Sequence, residues 1–196
     1  MTEQFELITL DEYVKDYQSL EESLLMTISM FMELQKLHKQ HLLHGYINCR
    51  GVLVLFDADQ RQPVKLVLPA IIPCESSKGR AYINADEIQI ISKFNKAPEV
   101  SIQCFTCEES DVFCGASIAY YLFTGAVYRP HKYFDVAEAD VTAQIMDNNS
   151  ITAPIAQQLS AGLCVCLRND YLYRPTARGA AALFAGIFYE LIIGKR

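Results

Sequence analysis

The sequence has no run rich in lysine or arginine. Its 17 basic residues are outnumbered by 23 acidic ones, for a net charge of −6. That removes the usual electrostatic footprint of a protein that holds nucleic acid or an anionic membrane. Internal repeats and low-complexity linkers are also missing, so the 196 residues (1–196) read as one domain. Nothing at the start has the basic-then-apolar layout of a secretory leader. With that layout absent, the odd count of seven cysteines reads as free thiols in a reducing, intracellular, cytoplasmic setting. Long charge-free apolar runs are scarce too. Val112 to Tyr128 is cut by two glycines, and Gly179 to Gly194 contains Glu190. Both are shorter than the roughly 20 residues a bilayer requires, and both suit core helices better.

What is present is a substantial supply of apolar residues, 51 % against 20 % charged. A sizeable core follows, and disorder does not. "QFELIT" reads as a short strand, and "LDEYVKDYQ" as a short acidic helix with Thr9 at its N-cap. From Leu20 to Gln40, Leu24, Leu25, Ile28, Met32, Leu34 and Leu37 recur near helical spacing, which predicts a long amphipathic helix. "GVLVLF" and "VKLVLP" flank the polar "DADQRQP", the pattern of a hairpin. A mixed, irregular stretch follows from Ile71 to Lys96. Then come an apolar helix capped by Ser110 or Asp111, an acidic helix over Val136 to Met146, one from Ala153 to about Arg168, and one after Pro175. The fold class is therefore mainly α with small β-hairpins.

The order of these elements and their punctuation resembles the larger, C-terminal lobe of a eukaryotic-type protein kinase. "LHKQHLLHGYINCRGVLV" is similar to the helix and catalytic loop that the family writes L-H-x-x-x-x-x-H-R-D-L-x-x-x-N-x-L-x. "VKLVLPA" stands where V-K-L-x-D-F-G is expected, and "KAPEV" holds an intact A-P-E. "SDVFCGASIAYYLFTG" resembles the helix that forms the spine of that lobe, and "CLRNDYLYRPTA" its closing segment. The five motifs run in order from about Thr9 to Leu183. The resemblance implies a single kinase-like helical domain with the N-terminal lobe lying outside it. Glu99 and Arg174 fall on the ion pair that ties the activation segment to the late helices. Asp111 falls on the residue that holds the catalytic-loop backbone, and His44 on its usual partner.

The resemblance also says what chemistry to expect, and the residue types deny it. Phosphoryl transfer needs an orienting base, Mg²⁺ ligands, a phosphate lysine and a glycine-rich cover. Here the catalytic Asp position holds Tyr46, whose phenol is a poor proton acceptor at neutral pH. The lysine of the loop aligns with Asn48, and the metal-binding Asn with Gly51. The Mg²⁺-binding Asp aligns with Leu68, followed by Pro69. No G-x-G-x-x-G and no V-A-I-K occurs. A degenerate, pseudokinase-type lobe is expected, with no kinase activity, no ATP binding and no cofactor. His44-Gly45-Tyr46 is similar to the H-G-N form in some pseudokinase domains, such as those of the Janus kinases.

Two other clusters invite a chemical reading. Cys104 and Cys107 form a C-x-x-C, and Cys164 and Cys166 a C-x-C; four thiolates would suffice for zinc. Against that, free cysteines are among the most buried residues, and no βαβ context supports a redox motif. His38, His41 and His44 are spaced by three, but no carboxylate accompanies them at ligand spacing. Cys49 with His44 as a nucleophilic pair lacks an orienting third group. The expected function is a non-catalytic scaffold or regulatory module in signalling, working by protein–protein interaction with a protein partner or a second copy. The alternatives are an enzyme reusing the lobe for another transfer chemistry, or a lobe completed by a separate chain. The expected working surface is the roof formed by Val52, Leu53, Val54, Leu68 and Pro69. Without a second lobe it would face water unless "FELI" and Ile71 to Lys96 fold over it.

Overall fold

The computed structural model describes residues 5–16, 19–45, 47, 52–57, 62–68, 72–73, 79–83, 96–131 and 134–193. The chain runs β1 (Phe5–Thr9), α1 (Leu10–Asp16), α2 (Leu20–Lys39), β2 (Leu42–Leu43), β3 (Leu53–Asp57), β4 (Gln62–Val67), β5 (Ile72–Pro73) and β6 (Arg80–Tyr82). It continues with α3 (Pro98–Gln103), β7 (Phe105–Cys107), α4 (Glu108–Thr124), α5 (Glu138–Asn148), α6 (Ala153–Cys166), a 3₁₀ turn (Tyr171–Tyr173) and α7 (Ala177–Ile193). Helices dominate, and the strands form small antiparallel sheets. No helix among the described residues is long and apolar enough to cross a membrane.

The core is built around α4. From Ser110 to Thr124 every residue is buried, because the helix is apolar on all sides and can only be satisfied by neighbours all round. Helix α2 packs along it and along α7. Phe31 of α2 stacks on Phe184 of α7 at 5.8 Å between centroids, and Phe123 of α4 meets Phe184 at 6.0 Å. The close approach of α2 to α4 requires Gly115, where a Cβ would lie 3.0 Å from the Phe31 ring. Helices α5 and α6 pack on each other and on the far end of α4. There Gly125 closes α4 in the left-handed region at φ +67°. Asn149 donates to the Phe123 carbonyl at 2.6 Å, covering an end that would otherwise be an orphan acceptor.

The caps explain several boundaries. Thr9 and Glu12 exchange hydrogen bonds at the start of α1, and the Ser19 hydroxyl accepts from Glu22 N–H at 3.2 Å at the start of α2. Helix α4 begins at Glu108, earlier than its polar pair Ser110-Asp111 suggests. Cys107 is the N-cap, and Ser110 answers from the third helical position by accepting from Cys107 N–H at 3.1 Å. Ser110 and Asp111 are thus inside the first turn, where their side chains are free to reach other segments.

The hairpin of β3 and β4 has β1 added on its other side, in the order β1-β3-β4. The register places Leu7 opposite Leu55 and Thr9 opposite Leu53. Alternation then turns Val54 and Leu66 inward onto the helical core. The outer face carries Phe5 and Leu7, 48 % and 58 % exposed, beside half-buried Leu53, Leu55 and Val67. This corrects the expected working surface. Val52 and Val54 are buried at 1 % and 0 % exposure, so they belong to the core and not to a roof. The segment "FELI" lies edge to edge with β3 and does not fold over it. Tyr46, Asn48, Gly51 and Pro69 fall outside the described residues, as do Cys49 and most of Ile71 to Lys96.

Candidate functional site

Two polar clusters meet at the first turn of α4, and adjacent residues serve them. Ser110 faces one cluster and Asp111 the other.

In the first cluster, Arg174, just after the 3₁₀ turn, reaches Glu99 in the first turn of α3. Nη1 donates to Glu99 Oε1 at 2.7 Å and Nη2 donates to Oε2 at 2.9 Å. Both residues are buried. The other guanidinium protons go to main-chain carbonyls: Nε to Arg168 at 2.7 Å, Nη1 to Glu109 at 3.0 Å and Nη2 to Asn169 at 3.3 Å. All five donors of the fork are therefore used. The guanidinium also lies 4.7 Å from the centre of the Phe113 ring, a cation–π contact. Ser110 Oγ donates to Glu99 Oε1 at 2.6 Å. A buried ion pair with every proton placed is a fixed tie between α3, α4 and the chain ahead of α7.

In the second cluster, Asp111 gathers the chain that leaves α2. Its Oδ2 accepts from His44 N–H at 2.8 Å and its Oδ1 from Gly45 N–H at 2.8 Å. Gly45 sits at φ +76°, where a side chain would be strained. The imidazole on Asp111 is not that of His44. It is that of His38, whose Nε2 is 3.1 Å from Oδ2 and whose Nδ1 is 3.8 Å from Glu108. His44 thus contributes its backbone to Asp111, while its ring points elsewhere. That ring is 1 % exposed, and neither nitrogen has a hydrogen-bond partner. Burial lowers its pKa below the ordinary value of 6.5, against the pull of Asp111, so the ring is held neutral.

The cysteines do not assemble into a metal centre among the described residues, where no group of three or more His, Cys, Asp or Glu is arranged to hold a metal ion. Cys104 is exposed in a left-handed turn at φ +56°, whereas Cys107 is buried at the head of α4. Cys164 and Cys166 are two residues apart on α6, so they point to different faces. Burial pushes the Cys107 and Cys166 thiols up to about 12, which keeps them protonated and poor as ligands or nucleophiles.

The chain matches no family model and no curated protein.

Of the residues singled out in the sequence, the fold brings Glu99 to Arg174 and the His44 backbone to Asp111. Leu68 lies half-buried at the end of β4, beside the His44 ring. Sequence reasoning missed His38 as the ring on Asp111, because the two are 73 residues apart. It also missed Lys36 and Lys65, which line a cavity with His44. Helical spacing puts Lys36 beside Glu33, but nothing local links either to β4.

Proposed function

We propose that the chain is a non-catalytic, protein kinase-like module that works by binding another protein chain. The observation that carries this reading is the outer face of the β1-β3-β4 sheet. Phe5 and Leu7 stand exposed there beside Leu53 and Leu55, and apolar patches of this kind mark interaction surfaces more often than free ones. Two further features support it. Tyr46 stands where an orienting carboxylate is needed, and Gly51 and Leu68 carry no hard metal ligand where the family keeps its own. The Glu99–Arg174 tie and the Asp111 anchor, by contrast, are complete. A scaffold kept rigid around an emptied loop suits a surface that must hold its shape.

The test combines Leu7→Asp with Leu53→Asp, first singly and then together. Both positions are on the outer face, so the fold is expected to survive, as circular dichroism and unfolding will report. Loss of self-association in sedimentation, or of partners captured by the wild-type chain from its host lysate, supports the reading. If the double variant stays folded and keeps every association, the sheet face is not the working surface. Nucleotide binding is a separate check. Millimolar ATP with Mg²⁺ is expected to leave the melting temperature unchanged, since only a bound ligand stabilises by mass action.

A further inference from the structure

Helix α7 turns one side to the core and leaves the other uncovered. Ala180, Phe184, Ile187 and Leu191 are buried on the inner side. The opposite side carries Arg178, Ala182, Ala185 and Tyr189, all exposed, Tyr189 to 66 %. At about 3.6 residues per turn these four fall within about 60° of arc. Beside them, a Cβ added at Gly186 would meet nothing within 4 Å, so no described segment lies over that point. Ile192 and Ile193 end the helix exposed, and α2, which packs along α7, shows Leu25 and Met32 to solvent. The solvent side of a helix is normally polar, and this one is mostly apolar.

Two observations specify what covers it. The first is spacing. Arg178, Ala182, Ala185 and Tyr189 are separated by four, three and four residues, a pattern that reads the same in both directions. A second α7 laid antiparallel, with a two-fold axis between Ala182 and Ala185, sets Ala182 of one chain on Ala185 of the other, and Arg178 on Tyr189. Alanine at the crossing lets the helices approach to about 8 Å, the close end of helix packing. Arginine over a tyrosine ring is a cation–π contact, and the axis makes it twice. Among the described residues, neither Arg178 nor Tyr189 has a partner in its own chain.

The second observation is charge. Arg178 stands in the first turn of α7 and Glu190 in the last. The helix dipole favours anions at the first turn and cations at the last, so each charge sits at the wrong end of its own helix. An antiparallel copy reverses this. Arg178 comes to the last turn of the other helix, with its Glu190, and Glu190 comes to the other's first turn. Gln158 of α6 donates to Glu190 at 2.6 Å, which holds the carboxylate at the edge of the face. A parallel copy would set like charges together.

We propose that the outer face of α7 binds a second copy of this chain, as a two-fold antiparallel helix pair centred between Ala182 and Ala185. The face is separate from the β1-β3-β4 sheet, so this proposal and the reading above can fail independently.

Sedimentation of the full chain tests it. The wild type is expected to pass from monomer to dimer with a dissociation constant on the order of 10 μM, as a small interface gives. Tyr189→Arg sets arginine on arginine and is expected to weaken the dimer about tenfold or more. Adding Arg178→Tyr exchanges the two residues, so each arginine again meets a tyrosine across the axis. The doubly changed chain is expected to recover to within about threefold of the wild type. Ala185→Gln puts bulk at the crossing and is expected to weaken the dimer about tenfold. All these positions are exposed, so the fold is kept, as circular dichroism will report. The series is repeated with Leu7→Asp and Leu53→Asp present, where the sheet face is blocked, and the same ratios are expected. A wild type that stays monomeric up to about 200 μM overturns the proposal and leaves α7 to a different partner. So does a Tyr189→Arg chain that associates like the wild type, an exchange that fails to restore what the single change loses, or a dimer abolished by blocking the sheet face.

Discussion

The two polar clusters at the head of α4 are built from similar parts and finished differently. Around Glu99 and Arg174 every proton has an acceptor, and the charges cancel inside the core. Around Asp111 the carboxylate is fully used, yet the His44 ring beside it has no partner at all. A completed cluster can only hold the fold. An incomplete one leaves a buried polar ring whose desolvation is not offset by any hydrogen bond. Both hang from one turn of helix, so comparing them separates a tie that is complete from one that carries an unmet cost.

The largest expected effect breaks the completed cluster. Arg174→Ala leaves Glu99 buried and uncompensated, and should cost about 3–5 kcal/mol in denaturant unfolding. Glu99→Gln combined with Arg174→Met should cost less than the sum of the two single changes, because each alone strands a charge. Additive losses would mean the pair is not the unit described here.

Next comes the anchor. Asp111→Asn keeps the shape but replaces one acceptor oxygen by an NH₂ facing donors. A loss of about 2 kcal/mol is expected, within the usual cost of a buried unmet donor. Hydrogen exchange at the His44 and Gly45 amides should accelerate well beyond the global change, whereas amides near Arg174 should not. Gly45→Ala acts on the same turn through its backbone. At φ +76° the added Cβ should cost about 1–2 kcal/mol, with α3 and α7 unaffected in exchange.

The smallest effect is the pH dependence of the open cluster. The folded state lowers the His44 pKa by burial, so the unfolded chain takes up the proton first. Stability is therefore intact above about pH 6.5 and falls as the pH drops below it, by at most about 1.4 kcal/mol per unit from this group. His44→Leu should flatten that slope between pH 6.5 and 5. An unchanged slope would assign it to other groups.

How much of this was legible in the sequence differs from element to element. The periodicity of Leu24, Ile28 and Leu34 located α2, and the polar run after Phe56 located the hairpin, because both signals are local. Thr9 worked as a cap for the same reason, whereas Ser19, which caps α2, was not singled out. Ser110 and Asp111 misled: they have the composition of an N-cap, but tertiary partners claim their side chains and Cys107 takes the cap. The pairing of β1 with β3, and of β6 with β7, joins residues far apart in the chain and left no local trace. Glu99 and Arg174 were found through intact motifs, not through spacing. His38 on Asp111 and the lysines beside His44 were invisible, since neither pattern nor motif links them. The roof was misjudged at Val52 and Val54, where a run of apolar residues hid the alternation that turns half of them inward.

The stacking of Phe31 on Phe184 has a consequence for how the protein is made. Both rings are fully buried, and they belong to the earliest long helix and the last one. A chain emerging from the ribosome at about 5–20 residues per second carries α2 for many seconds before α7 appears. Throughout that time the face of α2 around Phe31 has no permanent cover. Nascent chains stalled before Ala177 should therefore be held by chaperones and cut readily by protease. Emergence of α7 should abolish both together, making its appearance the step that closes the core.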